Sequence, residues 1–420
     1  MAQAPVPPFT LRSLGLSVYL PTFLFAIGQG AVIPFTPLLA RELHSTVAMA
    51  AFIVALRGLG TMLFDIPAGI LVGAVGERWA MVIGTTLLTF VAVGCALATS
   101  PVQLAVLMFV MGWAWAIWGL ARLTYVTEQA PTEMRGRALS LVGGTNRAGN
   151  FVGPFIGAVL GMQFGLGSTF YLQAVLAVIA TVFMFLLMRS DDDRPTLDPH
   201  GSGSHGFVSV MVQHRKILAT AGVATLCLGV LRSARQAVIP LWGEAIGLSP
   251  VGVANIFGIS NGMDMLLFYP TGSVMDRWGR KWVAIPCMVV LGIGMMMVPL
   301  AHDTLMFAVV ALFTGVGNGM GAGIVMTLGA DFSPAQRRAE FLGVWRLVSD
   351  IGQTGGPAVL GVLAGVASLG AASVVTGVIG LTGATIMWLL VPEPLPPERR
   401  RGGRPVAPPA PTTAPTTASD

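Results

Sequence analysis

The stretch PTGSVMDRWGRK at residues 270–281 repeats, 203 positions later, the pattern of PAGILVGAVGER at residues 67–78. Both begin with Pro-x-Gly, and both place a second glycine, Gly76 or Gly279, two positions before a base. The same offset carries a Gly-x-x-x-Gly-Pro pattern at residues 149–154 onto residues 352–357. Two unrelated apolar sequences would not keep one register through loop charges as well as Gly and Pro positions. The chain is therefore predicted to consist of two related halves.

The composition excludes a soluble globular protein. Hydrophobic residues make up 54% of the chain and charged residues 10%, against roughly a quarter charged in soluble domains. Apolar segments near the ~20 residues that cross a bilayer recur throughout the chain. We therefore predict an all-α membrane protein with twelve transmembrane helices in two pseudo-symmetric six-helix bundles. Spans one to twelve are placed at residues 16–40, 46–74, 79–99, 101–122, 139–162, 169–188, 217–241, 250–274, 281–301, 304–326, 341–364 and 370–391.

Basic residues mark one side of the membrane. They occupy the N-terminus, the even-numbered loops and the C-terminal tail: Arg12, Arg78, Arg135, Arg137, Arg189, Arg194, Arg215, Lys216, Arg277, Arg280, Lys281, Arg337, Arg338, Arg399, Arg400, Arg401 and Arg404. The opposite loops carry one clear basic residue, Arg41. Because positively charged loops stay cytoplasmic, both termini are predicted to lie inside. The Ala/Gly/Arg-rich composition is compatible with a GC-rich bacterium, and the predicted location is the bacterial cytoplasmic (inner) membrane.

The same patterns divide the chain into five parts. These are a cytoplasmic N-terminal segment (1–15), an N-terminal six-helix bundle (16–188), a cytoplasmic linker (189–216), a C-terminal six-helix bundle (217–391) and a disordered cytoplasmic tail (392–420). No small-residue cleavage site precedes span one, so this helix is predicted to be retained. Asp191 to Asp193, His200 and His205 could suggest a metal site in the linker. Their spacing does not support one, so a solvated linker is favoured and no metal site is predicted.

Eight charged residues fall inside the predicted spans. They are Arg57, Asp65, Arg147, Arg232, Arg235, Asp264, Arg346 and Asp350. Each costs about 2.5–3.5 kcal/mol at the centre of a lipid-facing helix, so together they would cost on the order of 20 kcal/mol. These side chains must therefore face a wet cavity or one another. The repeat makes Arg147 and Asp350 equivalent, which predicts a pair between the halves across the cavity.

The acids are the candidates for proton coupling. Asp264 and Asp350 lie mid-membrane, where burial favours the protonated form of a carboxyl group. Asp65 lies closer to the cytoplasmic loop, so a gating or structural role is favoured for it. The structural alternative is that the charges pair across helices and only hold the bundles together, and Arg346 could pair with Asp350 in this way.

The candidate substrate cavity combines arginines with aromatic rings. Arg57 and Arg147 cannot deprotonate, so they are predicted to pair with acids or to orient substrate. Arg235 lies towards the outer half of span seven, where a long side chain can instead reach the interface. Trp115 and Trp118 in span four could stack on a substrate, although tryptophans more often pack or anchor a helix at the membrane interface.

Residues 272–281, Gly-x-x-x-Asp-Arg-x-Gly-Arg-Lys, resemble the cytoplasmic loop signature of the major facilitator superfamily. The resemblance extends over residues 15–391 and implies a latch that closes the cytoplasmic side. Its first-half copy has Gly73 in place of the acid and Ala74 in place of the base. Glu128 and Asp331 are expected to supply acids to Arg78 and Arg277. The predicted cytoplasmic gate comprises Asp276, Arg277, Gly279, Arg280, Lys281, Arg78, Glu128 and Asp331.

Two further motifs point to one branch of that family. Gly149, Gly153, Pro154 and Gly157 in span five are similar to its antiporter signature, and they also fit simple helix bending and close packing. Span one contains Gly28-x5-Pro34-Phe35-Thr36-Pro37, which resembles a signature of the twelve-span drug:proton antiporter branch. The resemblance implies export in exchange for protons.

The predicted function is secondary active transport by alternating access, as proton-coupled efflux of small amphipathic compounds. The alternative is a metabolite or organic-anion carrier, working as a symporter or a facilitator, because five arginines within the spans exceed three aspartates. No nucleophile–base pair or nucleotide loop supports an enzyme. The expected partners are a small-molecule substrate, protons and the lipid bilayer. A monomer is expected, with no cofactor and no nucleic acid.

Overall fold

The computed structural model describes residues 14–131, 134–188, 204–334 and 337–394. Within these ranges the chain is helical, with short turns and no strand. Residues 1–13, most of the predicted linker (189–203, with Asp191 to Asp193 and His200) and the tail from residue 395 lie outside the described residues. The division into segments, bundles and tail therefore stays a prediction.

The helices of the first half correspond to spans one to six. A π-helical turn at Gly15–Tyr19 leads into Leu20–Glu42, followed by Val47–Ala96, Pro101–Gln129, Arg135–Phe164 and Ser168–Leu187. Val47–Ala96 contains both span two and span three, which are separated at Gly76, where the backbone takes φ 79° and ψ 163°. The positive φ ends one helix and starts the next without a loop, because glycine carries no Cβ to oppose it.

The second half follows the same order, as spans seven to twelve. Its helices are Val223–Ala245 (after short turns at Arg215–Ile217 and Leu218–Gly222), Pro250–Trp278, Lys281–Met297 with a 3-10 turn at Val298–Leu300, Thr304–Met320, Ile324–Phe332, Arg338–Val366 and Leu369–Leu389. Span ten is broken between its two helices, where Gly323 takes φ 78°.

Nine of the described helices are long enough and apolar enough to cross a membrane. One of these is Val47–Ala96, which contains two spans. Arg135–Phe164 and Arg338–Val366, the helices of spans five and eleven, do not reach that apolarity. Both helices carry arginine and several glycines. The predicted twelve-helix, two-bundle architecture is confirmed, and its two most polar helices occupy equivalent positions in the two halves.

The repeat extends to the backbone. Gly279 ends span eight with φ 117°, as Gly76 ends span two. His44 and Gly247, also 203 positions apart, both take a left-handed conformation in the turns after spans one and seven. The side chains of Thr46 and Ser249 each cap the helix that follows, as do those of Ser100 and Asp303. Equivalent residues therefore perform the same local task in both halves.

Close packing accounts for the Gly-x-x-x-Gly motifs. A Cβ at Gly153 would lie 2.4 Å from the carbonyl oxygen of Ile27, so span five lies directly against span one. Its equivalent, Gly356, meets the carbonyl oxygen of Val230 in span seven at the same 2.4 Å. Small residues permit such backbone approach in membrane bundles. Pro154 lies inside a continuous helix.

Part of the predicted linker is helical. Residues Ser204–Gln213 form a helix that packs on span eleven. Val210 is fully buried there, and Arg337 donates a hydrogen bond to the Ser209 hydroxyl at 3.2 Å. The linker is therefore not solvated at Val210, which packs on the C-terminal bundle, whereas Met211 and Val212 of the same helix are exposed.

Candidate functional site

The two bundles meet along two seams. In the first seam span five packs against span eight, and in the second seam span two packs against span eleven. The 203-residue offset maps each seam onto the other, since it takes span two to span eight and span five to span eleven. Transporters built from repeats place the substrate path between the repeats, so the side chains in these seams form the candidate site.

The first seam contains an ion pair between the bundles. Arg147 Nη1 lies 3.6 Å from Asp264 Oδ2, with the two side chains 22% and 14% exposed. The ring of Phe268 lies 4.6 Å from the Arg147 guanidinium, a cation–π distance. Arg147 Nε and Asp264 Oδ1 are buried, and neither atom has a hydrogen-bond partner among the residues that the structure describes. The pair is therefore only partly satisfied by the protein.

The second seam contains a triad. Arg346 of span eleven donates to Asp65 of span two at 3.2 Å and lies 3.6 Å from Asp350, one turn along its own helix. Asp65 and Asp350 thus lie beside the same guanidinium group. One guanidinium group thus serves two carboxyl groups, one in each bundle.

The predicted pair between Arg147 and Asp350 does not form in this structure. Arg147 lies against Asp264, and Asp350 lies against Arg346. The reason is geometric: residues related by the repeat lie on opposite sides of the pseudo-twofold axis, and each of these two belongs to a different seam. The structural alternative for Arg346, a pair with its helical neighbour Asp350, does form.

The two arginines of span seven lie inside the C-terminal bundle. Arg235 is 3% exposed and donates to the hydroxyls of Thr314, at 3.1 Å, and Ser260. Arg232 makes a long contact of 3.4 Å to the Asn318 carbonyl. Its Nε is buried and has no hydrogen-bond partner within the described part of the chain. The alternative that Arg235 reaches the membrane interface does not hold, because two buried hydroxyls keep its side chain in the interior. Its assignment to the substrate cavity stays a prediction.

The aromatic residues of the N-terminal bundle form a stack. Trp118 is 1% exposed and lies between the ring of Phe25, at 3.9 Å, and the guanidinium of Arg122, at 4.0 Å. Trp115 contacts Phe25 edge-on at 4.8 Å, and Arg57 lies 5.8 Å from the Trp115 ring. In this conformation Trp118 is a packing residue. Arg122, at the end of the predicted span four, was missed because it falls at a span boundary.

The predicted latch, on the side of the membrane where the linker lies, is a set of contacts within the C-terminal bundle. Arg280 pairs with Asp331 at 2.7 Å and with Asp276 at 3.5 Å. The expected partner of Asp331 was Arg277; the structure gives it Arg280, whose side chain turns inward while Arg277 is exposed. Glu393, missed from the sequence, accepts from the backbone amides of Arg280 and Lys281 at 2.8 and 2.9 Å.

The remaining gate residues hold neighbouring helices in place. Lys281 donates to the carbonyls of Trp388 and Val391 at the end of span twelve. In the N-terminal half, Arg78 donates to the Phe185 carbonyl at 2.6 Å. Glu128 also has a partner within the structure. These contacts fasten each bundle internally, and their role as a gate stays a prediction.

An ion pair missed from the sequence joins the bundles at the end opposite the linker. Arg41 Nε lies 3.2 Å from both carboxylate oxygens of Glu244, and Arg41 also donates to the Ser45 carbonyl. Arg41 and Glu244 are 203 residues apart, so they are equivalent in the repeat and meet at its pseudo-twofold axis. Arg41 is the one clear basic residue of these loops, and the offset of 203 residues identifies Glu244 as its equivalent.

The two ends of the seams differ in how closely they pack. At the end with Arg41 and Glu244, a Cβ at Gly361 would lie 2.9 Å from the Ala48 carbonyl oxygen, and one at Gly258 would lie 2.8 Å from the Phe155 ring. At the linker end, a Cβ at Gly73 or Gly272 would meet no heavy atom within 4 Å. We call the end with Arg41 and Glu244 the sealed end, and the opposite end, with Gly73 and Gly272, the linker end.

Comparisons with known proteins agree with this arrangement. Multidrug resistance protein MdtG of Dickeya zeae is 28% identical over 185 residues, which are 43% of this chain and 45% of that protein, so the match spans less than half of the relative. An uncharacterized MFS-type transporter of Methanocaldococcus jannaschii is 20% identical over 352 residues, covering 83% of this chain and 90% of that protein.

Solved structures share the fold. A D-xylose-proton symporter matches with a TM-score of 0.72 at 16% identity, over 91% of this chain and 98% of that one. The nucleoside transporter NupG matches with a TM-score of 0.74 at 14% identity, over 90% and 99%. The family model described as Major Facilitator Superfamily matches residues 18–269 and 221–417, which include both halves. The chain belongs to this superfamily and is a multi-pass membrane transporter of small molecules, not an enzyme.

Proposed function

We propose that this protein exports small amphipathic compounds in exchange for protons, by alternating access, across a bacterial inner membrane with both termini in the cytoplasm. The similarity to a multidrug resistance protein of Dickeya zeae supports export of such compounds. The excess of basic residues in the loops of the linker end supports the orientation. The observation that carries proton coupling is the triad of Asp65, Arg346 and Asp350.

The packing of the seams supports alternating access. With the linker end in the cytoplasm, the sealed end faces outward, and the end with open space at Gly73 and Gly272 faces inward. The ion pair of Arg41 and Glu244 then closes the outer side, while substrate enters from the cytoplasm between the separated ends of the seams. Export requires the opposite arrangement as well, in which the outer pair separates and the second seam closes below the triad.

The charges of the triad suggest how a proton selects between these arrangements. With both acids ionised, two negative charges share one positive charge, and a single proton makes the group neutral. A proton on Asp65 removes the charge that attracts Arg346 from the other bundle, because a neutral carboxyl group binds a guanidinium less strongly. Arg346 then keeps Asp350, its partner within the helix. Protonation therefore loosens the second seam without leaving a buried charge unpaired.

A second candidate is a carrier of metabolites or organic anions that works as a symporter or a facilitator. The buried arginines favour it, because Arg147, Arg232 and Arg235 outnumber the one carboxylate, Asp264, in spans five, seven and eight. The folds of the sugar and nucleoside transporters are compatible with either candidate, because at these identities they show the fold alone.

The test uses purified protein in liposomes with a trapped pH dye, and a panel of lipophilic cations, neutral drugs and organic anions. Substrate-dependent proton movement should occur in the wild type and be lost in Asp350→Asn and Asp65→Asn. Asp303→Asn is the matched control, since this acid caps a helix at the sealed end and asparagine caps equally well. Substrate flux that changes neither with the proton gradient nor with the two triad substitutions would contradict proton coupling and support a facilitator.

A further inference from the structure

A cavity opens at the sealed end, where the two bundles meet. Its volume is about 440 Å³, and it lies beside the ion pair of Arg41 and Glu244. Sites for small molecules have volumes of roughly 300–1,000 Å³, so this cavity is large enough for a ligand of that kind. Leu38 and Leu166 line it from the N-terminal bundle, and Pro250 lines it from the C-terminal bundle. A molecule bound here would therefore contact both bundles at once.

The side chains that line the cavity carry a net negative charge. Glu42 and Glu244 contribute two carboxylates, and Arg41 contributes one guanidinium group. Arg41 already faces Glu244 at 3.2 Å and donates to the Ser45 carbonyl. Glu42 is exposed, and among the residues that the structure describes it forms no ion pair. The Glu42 carboxylate is therefore available to a cation.

The helix ends at the cavity add to this negative charge. Spans one, five and seven end at Glu42, Phe164 and Ala245. Each of these residues lines the cavity or directly adjoins a residue that does. Three helix C-termini therefore lie at the cavity, and each carries a partial negative charge. Span eight begins here with Pro250, which has no N–H group to offer an anion. Side chains and helix ends thus both favour a positively charged ligand.

The rest of the wall is apolar. Leu38 is buried, and Leu166 packs on a small buried cluster that contains Phe35 of span one and Ala254 of span eight. Because this cluster joins the two bundles, it supports the wall of the cavity only while the sealed end is closed. An apolar wall beside a carboxylate suits an amphipathic cation better than a metal ion, which prefers a shell of oxygen ligands.

We propose that this cavity binds a small amphipathic cation, with its ammonium group at Glu42 and its apolar part against Leu166 and Pro250. The ligand contacts both bundles, so it binds the closed form of the sealed end and not the open form. At ten times its dissociation constant for the closed form, such a ligand raises the ratio of closed to open molecules about 11-fold by mass action. The cavity is therefore an inhibitory site on the outer surface, separate from the triad. The inhibition rests on the proposed alternating access, whereas the binding does not.

Binding is tested with 4-(trifluoromethyl)benzylammonium, whose fluorine resonance broadens when the compound binds the full-length protein in detergent micelles; empty micelles give the background. Wild type should broaden this resonance, and neither the uncharged 4-(trifluoromethyl)benzyl alcohol nor the anionic 4-(trifluoromethyl)benzoate should compete at equal concentration. Glu42→Gln should weaken binding about 1.4- to 5-fold, the range of a hydrated ion pair. Glu42→Lys makes the net charge of the lining positive and should abolish binding. Asp303→Asn is the control, because Asp303 caps a helix at the same end but lies outside the cavity lining.

Inhibition is tested through closure of the sealed end. Arg41→Gln breaks the ion pair but leaves both carboxylates in the cavity, so it favours the open form and keeps the proposed site. Spin labels at Thr99→Cys and His302→Cys, in the loops of this end, report the two forms by pulsed electron paramagnetic resonance once the native cysteines are replaced by alanine. The benzylammonium probe, at ten times its dissociation constant for the closed form, should lower the ratio of open to closed molecules about 11-fold in Arg41→Gln. It should leave the ratio unchanged in Arg41→Gln/Glu42→Lys.

Wild-type affinity in Glu42→Lys, equally strong binding of the benzyl alcohol, or an unchanged ratio of open to closed molecules with the probe bound would each overturn the proposal. Loss of probe binding in Asp264→Asn, with binding kept in Glu42→Lys, would place the cation in the first seam and overturn it as well. Probe binding at Glu42 with closure of the sealed end, in a protein that moves no protons, would support this site and refute the proton exchange of the proposed function.

Discussion

Replacing Glu244 by glutamine removes one charge from the ion pair that joins the bundles at the sealed end. Glutamine keeps the length of the side chain, and Arg41 keeps its hydrogen bond to the Ser45 carbonyl. The change therefore acts mainly on the link between the two bundles. We expect it to favour the conformation in which the sealed end is open.

The expected magnitude follows from the exposure of the pair. The side chains of Arg41 and Glu244 are 33% and 35% exposed, and ion pairs with this degree of hydration contribute about 0.2–1 kcal/mol. Since 1.4 kcal/mol corresponds to a tenfold change in an equilibrium constant, the ratio of open to closed molecules should rise about 1.4- to 5-fold. Both contacts come from the single Nε–H of Arg41, so the pair lacks the two parallel hydrogen bonds of a bidentate arginine–carboxylate contact.

Pulsed electron paramagnetic resonance measures this ratio directly. Spin labels are attached at Thr99→Cys and His302→Cys, two exposed and equivalent positions in the loops of the sealed end. The buried Cys95, Cys227 and Cys287 are replaced by alanine in every sample. Glu244→Gln should increase the population at long distance, and the charge exchange Arg41→Glu/Glu244→Arg should restore much of the closed population.

Glu42→Gln is the matched control for this measurement. Glu42 neighbours Arg41 and lines the same surface cavity of about 440 Å³, and in the described part of the chain it forms no ion pair. The control should leave the distance distribution unchanged. A distribution in Glu244→Gln that equals that of the wild type, or equal effects of Glu244→Gln and Glu42→Gln, would refute the assignment of this pair as the outer closure.

Three further predictions concern packing and the linker end. Gly153→Ala should lower the thermal unfolding temperature and the folded yield, because its Cβ would lie 2.4 Å from the Ile27 carbonyl oxygen. Gly144→Ala, which lies on the same helix in open space, should lower neither. Equal losses for the two variants in a thermal shift assay would contradict the packing argument. Arg280→Gln should lower the free energy of unfolding by about 1–2 kcal/mol, because it removes the contacts with Asp331 and Asp276. Arg277→Gln, at an exposed position, should lower it by less than about 0.5 kcal/mol. A larger loss for Arg277→Gln than for Arg280→Gln in denaturant unfolding would show that Arg277 forms the latch. Trp118→Ala should cost about 3–5 kcal/mol in the same assay because the ring is buried between Phe25 and Arg122; loss of substrate affinity at unchanged stability would instead assign it to the cavity.

The repeat made most of the fold predictable. The spans follow from apolarity, and the offset of 203 residues predicts equivalent turns such as those at Gly76 and Gly279. Equivalence does not predict contact, however. Residues related by a twofold axis meet only when they lie close to it, as Arg41 and Glu244 do, whereas Arg147 and Asp350 lie in separate seams and find other partners.

Sequence patterns do not predict the partners of the buried arginines. Arg235 is held by Ser260 and Thr314, two hydroxyls among many in apolar helices, and neither spacing nor charge distinguishes them. The inward turn of Arg280 towards Asp331, in preference to Arg277, depends on the break at Gly279, whose φ of 117° sets the direction of the following residues. Such contacts depend on helix rotation, which apolar periodicity constrains weakly in a bundle that is apolar on most faces.

The most direct test of the central claim imposes a pH gradient on liposomes that contain the purified protein and no gradient of substrate. Wild-type protein should then move a transported compound against its own concentration, and a protonophore should abolish the accumulation. Asp350→Asn should bring the compound only to equal concentration on both sides. Equal concentrations in wild-type liposomes, with or without the pH gradient, would contradict proton-coupled transport by this protein.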